Sequence, residues 1–402
     1  MYAGLVVGAH VVRLRIWISS MRALPTTTGT HGFWRHADWL LIVSTVLLSL
    51  LGLITMNTFS GESVFFVRQA IWIGVSLVVM VLASYVDTRL FYRSGVVFGL
   101  YLFSIATLVL VLFFGTVVLG AQNRFDLGFF AFQPSDPAQI ILILVLAKYF
   151  ARRHMEIGHL KHIMVSGAYM GLMFVLLFFQ PDFGSAVIIF SIWLGMVLIA
   201  GISRTHLLAV FLLGAVAFAG LWAFAFADYQ KERILTFLHP LSDVQGAGYN
   251  AYQSTIAVGS GGIWGKGIGE GSQSKLEFLP EYETDFIFAA FAEEWGFMGV
   301  LLLLTLFCVV FWRLLVHAKY GATNFETLAC AGVVVWLLAH VVLHVGMNVG
   351  LLPVAGTTLP FLSYGGSHLV TEFAALGLVL AMSRYERDVR KDDLDREVEG
   401  LT

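Results

Sequence analysis

Ten stretches of this 402-residue chain are apolar over a bilayer-crossing length, and the polar residues gather between them. They run over 38–58, 66–86, 94–118, 138–151, 162–180, 183–202, 205–227, 287–316, 326–349 and 366–383. A spanning helix needs about 20 mostly apolar residues. The fourth stretch is short, and the eighth is long with acids in its first turns. The pattern predicts an all-α integral membrane protein of about ten transmembrane helices. Residues 228–286 interrupt it with one long polar loop, rich in glycine at 246, 248, 259, 261, 262, 265, 267, 269 and 271. A connection of that length is usually functional, and its glycines allow tight turns and re-entrant pieces. Two further stretches, 119–137 and 350–366, lie on the same side. The second holds two prolines, and irregular backbone at membrane depth survives only where protein buries it or water lines it.

Composition agrees with that class. The chain is 58% apolar and 12% charged, with mean hydropathy +0.82, against roughly 45–50% and 25% in soluble domains. The net charge of −2 says little; the placement of charge says more. With the N-terminus in the cytoplasm, only Arg68, Arg124, Lys231, Arg233, Lys266 and Lys275 of the 24 Lys and Arg residues fall outside. That is the bias that orients spans, so both termini are expected inside. Residues 1–36 read as a cytoplasmic N-terminal extension, since Arg13 and Arg15 break the apolar run of a signal peptide and no cleavage site precedes Pro25. Residues 37–384 form the expected polytopic domain, and 385–402 a cytoplasmic tail. Cys308 and Cys330 sit in apolar runs and read as packing residues. The twelve histidines show no ligand spacing, so no metal cluster is expected among them; no nucleic-acid partner is expected for this membrane chain.

Chemistry is sought in the outer polar segments. Asp285 is the last acid before an apolar helix, and a partly desolvated carboxylate there is a candidate general base. The alternative is that Thr284 and Asp285 cap that helix. Glu293 and Glu294 follow two turns on, Glu293 about 80° around from Asp285, and serve either a cavity or a structural ion pair. Asp182 lies in a short outside turn, either capping it or lining a polar cavity. Arg124, Arg233 and glycine-flanked Lys266 are outside cations suited to a pyrophosphate or anionic headgroup, or to plain solvation.

Several motifs, in order over about 38–384, resemble the SEDS (shape, elongation, division and sporulation) membrane proteins. They are Gly120-Ala-Gln with Asp126-Leu-Gly, Gln133-Pro-Ser, Gln180-Pro-Asp-Phe-Gly, and Gly246-Ala-Gly-Tyr. Gln253-Ser-Thr-Ile-Ala-Val-Gly-Ser-Gly-Gly, Phe278-Leu-Pro-Glu, Thr284-Asp-Phe-Ile-Phe and the 350–367 stretch complete the set. Gly265-Lys-Gly and Gly271-Ser-Gln-Ser look closer to the RodA elongation branch than to the FtsW division branch. The resemblance implies a peptidoglycan glycosyltransferase that polymerises lipid II at the outer face of the bacterial cytoplasmic membrane during elongation. It further implies a class B penicillin-binding protein and other elongation-complex membrane proteins as partners. Asp285 would activate the acceptor hydroxyl for attack on the donor sugar, with undecaprenyl pyrophosphate leaving. Arg124, Asp182, Arg233, Lys266, Glu281 and Ser363 would bind substrate, and a divalent cation (Mg or Mn) is a candidate cofactor. The chain departs from the family pattern at Asn123-Arg124, at Asp136 and Gln139 (where the pattern has Glu and Lys), at Glu283 and at His344. A lipid II flippase, a division-specific polymerase and an inactive scaffold are the competing readings.

Overall fold

The structure is a computed structural model. It describes residues 37–57, 64–118, 121–128, 130–152, 160–224, 226, 228–239, 248–276, 278–279 and 281–399. The N-terminal extension expected over 1–36 lies outside the described residues. The helices are α1 (Trp39–Asn57), α2 (Val64–Ser84), α3 (Ser94–Phe114), α4 (Ser135–Ala151), α5 (Leu160–Phe179), α6 (Phe183–Ala200) and α7 (Arg204–Phe224). The long loop contributes α8 (Asp228–Leu238), α9 (Tyr249–Ser260) and the single turn α10 (Ser272–Lys275). Then follow α11 (Ile287–Lys319), α12 (Asn324–Asn348) and α13 (Gly366–Glu399).

Among the described residues, nine of these helices are long and apolar enough to cross a membrane. The remaining expected span, α4, has 17 residues, at the short limit for a crossing. Its Asp136 and Pro137 open the helix, and 12 of its residues are buried between neighbours, so it is the interior helix of the bundle. α13 packs along α2, α11 against α12 and α1, and α12 against α6 and α4. α7 buries none of its residues, and large apolar side chains such as Phe113, Phe179 and Leu213 point outward, as lipid-facing positions do. Cys330 is buried as expected of a packing residue, whereas Cys308 faces outward.

The apolar pattern carries the third span to 118, but α3 stops at Phe114, where Gly115 turns extended. Three short strands follow, β1 (Thr116–Val118), β2 (Ala121–Asp126) and β3 (Ala131–Phe132), antiparallel in the order β1-β2-β3. At the other end of the chain α13 continues through the expected tail to Glu399.

At the bundle end where α1 begins and α11 finishes, Asp38 joins three helices. Its Oδ2 accepts from Arg313 Nε and lies against His317 Nε2, each at 2.8 Å, while Ser383 Oγ meets His317 Nδ1 at 2.6 Å. Burial works to raise the Asp38 carboxyl, but the bonds and charges of His317 and Arg313 bring it from 3.8 down to about 2. A carboxyl depressed in the folded state stabilises above its unfolded value and loses that contribution as pH falls through the folded one. Stability is therefore expected to drop by about 2 kcal/mol between roughly pH 4 and pH 2 through this group. Thermal melts across that window should show the drop in the wild-type protein and lose this component in Asp38→Asn.

Candidate active site

The long loop folds back on the membrane helices through a small apolar seam. Ala257 of α9, Leu279, Phe286 and Ala289 of α11 are all buried together, with Tyr282 and Val354 packed against them. Burying Leu279 and Phe286 contributes roughly 2 kcal/mol each. Two of the loop's glycines, Gly261 and Gly265, are explained by close approach to the backbone of α11, which is broken at Gly296 (φ 65°, ψ −168°). The carbonyls of Glu293 and Glu294 accept the N–H groups of Lys266 and Gly267, and Phe297 and Met298 donate to the carbonyls of Gly262 and Ile263. Loop backbone thus replaces helix backbone across the break, as any gap in a membrane-depth helix requires. The carboxylate of Glu293, fully buried, accepts from Lys266 Nζ at 2.6 Å, Ser272 Oγ at 3.0 Å and the Gln273 N–H. Of the two readings for Glu293, the structure provides the structural ion pair.

Asp285 precedes this helix and is half-buried. The N-cap of α11 is Phe286, which makes no side-chain cap bond, and the Thr284 hydroxyl turns back to Glu281 rather than onto the helix. Asn348, fully buried at the end of α12, does the work instead. Its Nδ2 donates to the Asp285 carbonyl at 3.0 Å and its Oδ1 accepts from the Ala289 N–H at 3.2 Å and the Ser254 hydroxyl at 3.3 Å. The 350–366 stretch grips the same segment from the other side. Ser363 Oγ donates to the Thr284 carbonyl at 2.9 Å and accepts from the Leu359 N–H, and Tyr364 N–H donates to the Glu283 carbonyl. Asp285 Oδ2 comes to rest over Gly356, 3.6 Å from where a methyl group on that residue would stand.

On the far side of Gly356 lies the turn before α6. A methyl on Gly184 would meet the Ala355 carbonyl oxygen at 2.5 Å, so no larger residue permits this approach. Asp182 is buried and caps α6 through the Ser185 N–H at 3.1 Å; its Oδ2 accepts from Asn123 at 3.1 Å and Gln133 at 3.3 Å. Asn123 Oδ1 in turn receives Arg124 Nε at 3.3 Å. Arg124 therefore meets a neutral amide, and β2 brings it to the Asp182 turn. Burial raises the Asp182 carboxyl against the bonds from Ser185 and Asn123, and the Asp136 charge adds to the rise. Burial also raises Glu283 despite a bond from its own backbone, with the Glu281 charge adding to it.

The structure thus gathers Asp285, Glu281, Ser363 and, across residues 355–357, Asp182 with Arg124. Lys266 stands apart in the sense that its ammonium is held by Glu293 and Ser272. The side chain of Arg233 lies outside the described residues. Among the described residues, no three His, Cys, Asp or Glu side chains converge to hold a metal. The acid at the start of α4, Asp136, faces His368 of α13, and Gln139, where the family pattern has lysine, bonds the Trp336 and His340 rings.

A family of cell cycle proteins represented by FtsW, RodA and SpoVE matches residues 31–388. The chain belongs to this family. The FtsW/RodA/SpoVE domain covers almost all of the described structure, and the nine span-length apolar helices among the described residues make the chain a multi-pass membrane protein. The peptidoglycan glycosyltransferase MrdB of Escherichia coli K12 is 36% identical over 353 residues, 86% of this chain and 95% of that one. A probable peptidoglycan glycosyltransferase FtsW of Thioalkalivibrio is 36% identical over 389 residues, 90% of this chain and 93% of that one. In three dimensions the chain is similar to a component of a peptidoglycan synthase complex that coordinates polymerization and crosslinking. The TM-score is 0.75 at 30% identity, covering 87% of this chain and 98% of the other.

Proposed function

We propose that this FtsW/RodA/SpoVE protein is a peptidoglycan glycosyltransferase that polymerises lipid II, with Asp285 as its general base. The observation that carries the assignment of the base is the placement of Asp285. Its backbone is clamped by Asn348 and Ser363 through Thr284, and its carboxylate lies over Gly356. A half-buried acid held in one position suits removal of a proton from the acceptor's sugar hydroxyl as that oxygen attacks the donor's anomeric carbon. The bond to the pyrophosphate oxygen breaks in the same displacement, and undecaprenyl pyrophosphate departs. Arg124 is the cation assigned to it, since its guanidinium meets a neutral amide and guanidinium geometry matches phosphate oxygens. Asp182, Glu281 and Ser363 complete the substrate-facing set, with Ser363 acting by holding the Thr284 carbonyl. Lys266 contributes through Glu293 by securing the loop, and Arg233 is assigned to the headgroup from sequence alone. A divalent cation, Mg or Mn, would supply charge neutralisation on the departing pyrophosphate, and no step here depends on it, since among the described residues no group of three acids, histidines or cysteines is placed to hold one.

The reaction is assigned to the outer face of the bacterial cytoplasmic membrane, with both termini inside, on the distribution of Lys and Arg. A class B penicillin-binding protein is the assigned crosslinking partner, with other elongation-complex membrane proteins beside it. The elongation role rests on the Gly265-Lys-Gly and Gly271-Ser-Gln-Ser segments. Purified protein incubated with labelled lipid II and the transpeptidase partner is expected to yield glycan chains on a gel. In liposomes, translocation of the headgroup without chain formation would instead identify a transporter.

A further inference from the structure

Beneath the 350–366 stretch, α4 and α13 enclose titratable side chains that the proposed chemistry does not use. Asp136, His368 and Glu372 are all buried, at 5%, 8% and 1% exposure. His368 lies between the two acids, with Nδ1 3.5 Å from Asp136 Oδ1 and Nε2 2.8 Å from Glu372 Oε1. The His340 ring stands 4.8 Å from that of His368 and directs its Nε2 to Gln139. A carboxylate at this depth needs a partner, and among the described residues His368 is the group in ion-pair reach of both acids.

The other oxygen of Glu372 reaches out of the cluster and accepts the Phe361 N–H at 2.8 Å. Phe361 occupies the left-handed region at φ 64°, with its buried ring edge-on to Phe373 at 5.5 Å. A bulky residue stays in that region only when its surroundings hold it there. Two residues on comes Ser363, whose hydroxyl takes the Thr284 carbonyl and whose carbonyl accepts from Gln69 Nε2 at 3.1 Å. Ser367, beside His368, accepts the N–H of Gln133, the residue whose amide reaches Asp182. The cluster is therefore tied by hydrogen bonds to both walls of the candidate site.

We propose that His368 is a positioning residue of the transferase. Its imidazolium, shared between Asp136 and Glu372, keeps the Glu372 carboxylate on the Phe361 N–H and so sets where residues 283–285 present Asp285. This inference rests on the polymerase reading for its catalytic consequence, while its structural half can be measured alone.

The test combines hydrogen–deuterium exchange on the purified full chain with lipid II polymerisation in the presence of the transpeptidase partner. In His368→Gln, amide exchange over 359–364 is expected to speed up at least about tenfold, and kcat to fall at least about tenfold with KM within about twofold. In an Asp136→Asn/Glu372→Gln background the amide carbonyl at 372 still accepts from Phe361, and neither side chain carries a charge to balance. There the same His368→Gln change is expected to alter exchange and kcat by less than about threefold. This background also keeps the comparison available if His368→Gln alone does not fold. Wild-type exchange in His368→Gln, or equal damage in the two backgrounds, overturns the proposal. A wild-type protein that forms no chains would sink the polymerase reading, and the exchange comparison would still decide the role of His368.

Discussion

Asp285→Asn is expected to fold like the wild type and to make no detectable glycan. The substitution keeps size and shape, and the contacts that fix this segment are made by backbone: the Asp285 carbonyl to Asn348 and the Thr284 carbonyl to Ser363. What changes is the ability to take a proton. Loss of a general base lowers the rate by about 10²–10⁴-fold, and the product gel should fall below detection while bound lipid II remains measurable. The neighbouring acids are placed differently. Glu281 Oε2 receives the Thr284 hydroxyl at 3.3 Å, and Glu283 is raised by burial. Glu281→Gln should therefore reduce activity far less than Asp285→Asn. Chains of wild-type length made at wild-type rate by Asp285→Asn would remove this residue from the chemistry.

What was legible in the sequence was what a single segment decides for itself. Apolar length places the spans, and even the short α4 is found, because burial on every side keeps it apolar after Asp136 and Pro137. A 59-residue stretch carrying nine glycines announces backbone-to-backbone contact. Features that need two distant segments were not legible. The strands after α3 look like more span, because Val117 and Val118 are as apolar as what precedes them. Lys266 reads as an outside cation, and its partner Glu293 lies 27 residues on, across a loop whose path depends on the break at Gly296. Asn348 and His368 are single polar residues in apolar helices. Their importance comes from what faces them: Asp285 and Ala289 for one, Asp136 and Glu372 for the other. A lone amide or imidazole in a span marks a position that needs a partner, without naming it.

The break in α11 also sets the largest expected effect on stability, at Gly265. This residue has φ +80°, and a methyl group there would fall onto the Glu294 carbonyl oxygen and within 2.7 Å of the Trp295 carbonyl carbon. Both obstacles are backbone, so no side chain can swing aside. The left-handed conformation alone costs an alanine roughly 1–2 kcal/mol. Pushing the loop away would also pull the Lys266 and Gly267 N–H groups from the Glu293 and Glu294 carbonyls. It would equally strip Phe297 and Met298 of their acceptors, at membrane depth where water cannot replace them. Gly265→Ala is therefore expected to destabilise by more than about 3 kcal/mol, in the range reserved for strained or unsatisfied buried sites. Gly262 supplies the control that separates the two contributions. It too is left-handed, at φ +57°, but a methyl there meets nothing within 4 Å. Gly262→Ala should lose only the conformational part, about 1–2 kcal/mol. Thermal unfolding of both variants in detergent measures the difference. Equal melting temperatures would mean that the loop is not wedged into the helix break, and that the Lys266–Glu293 pair, rather than this backbone contact, holds the segment against α11.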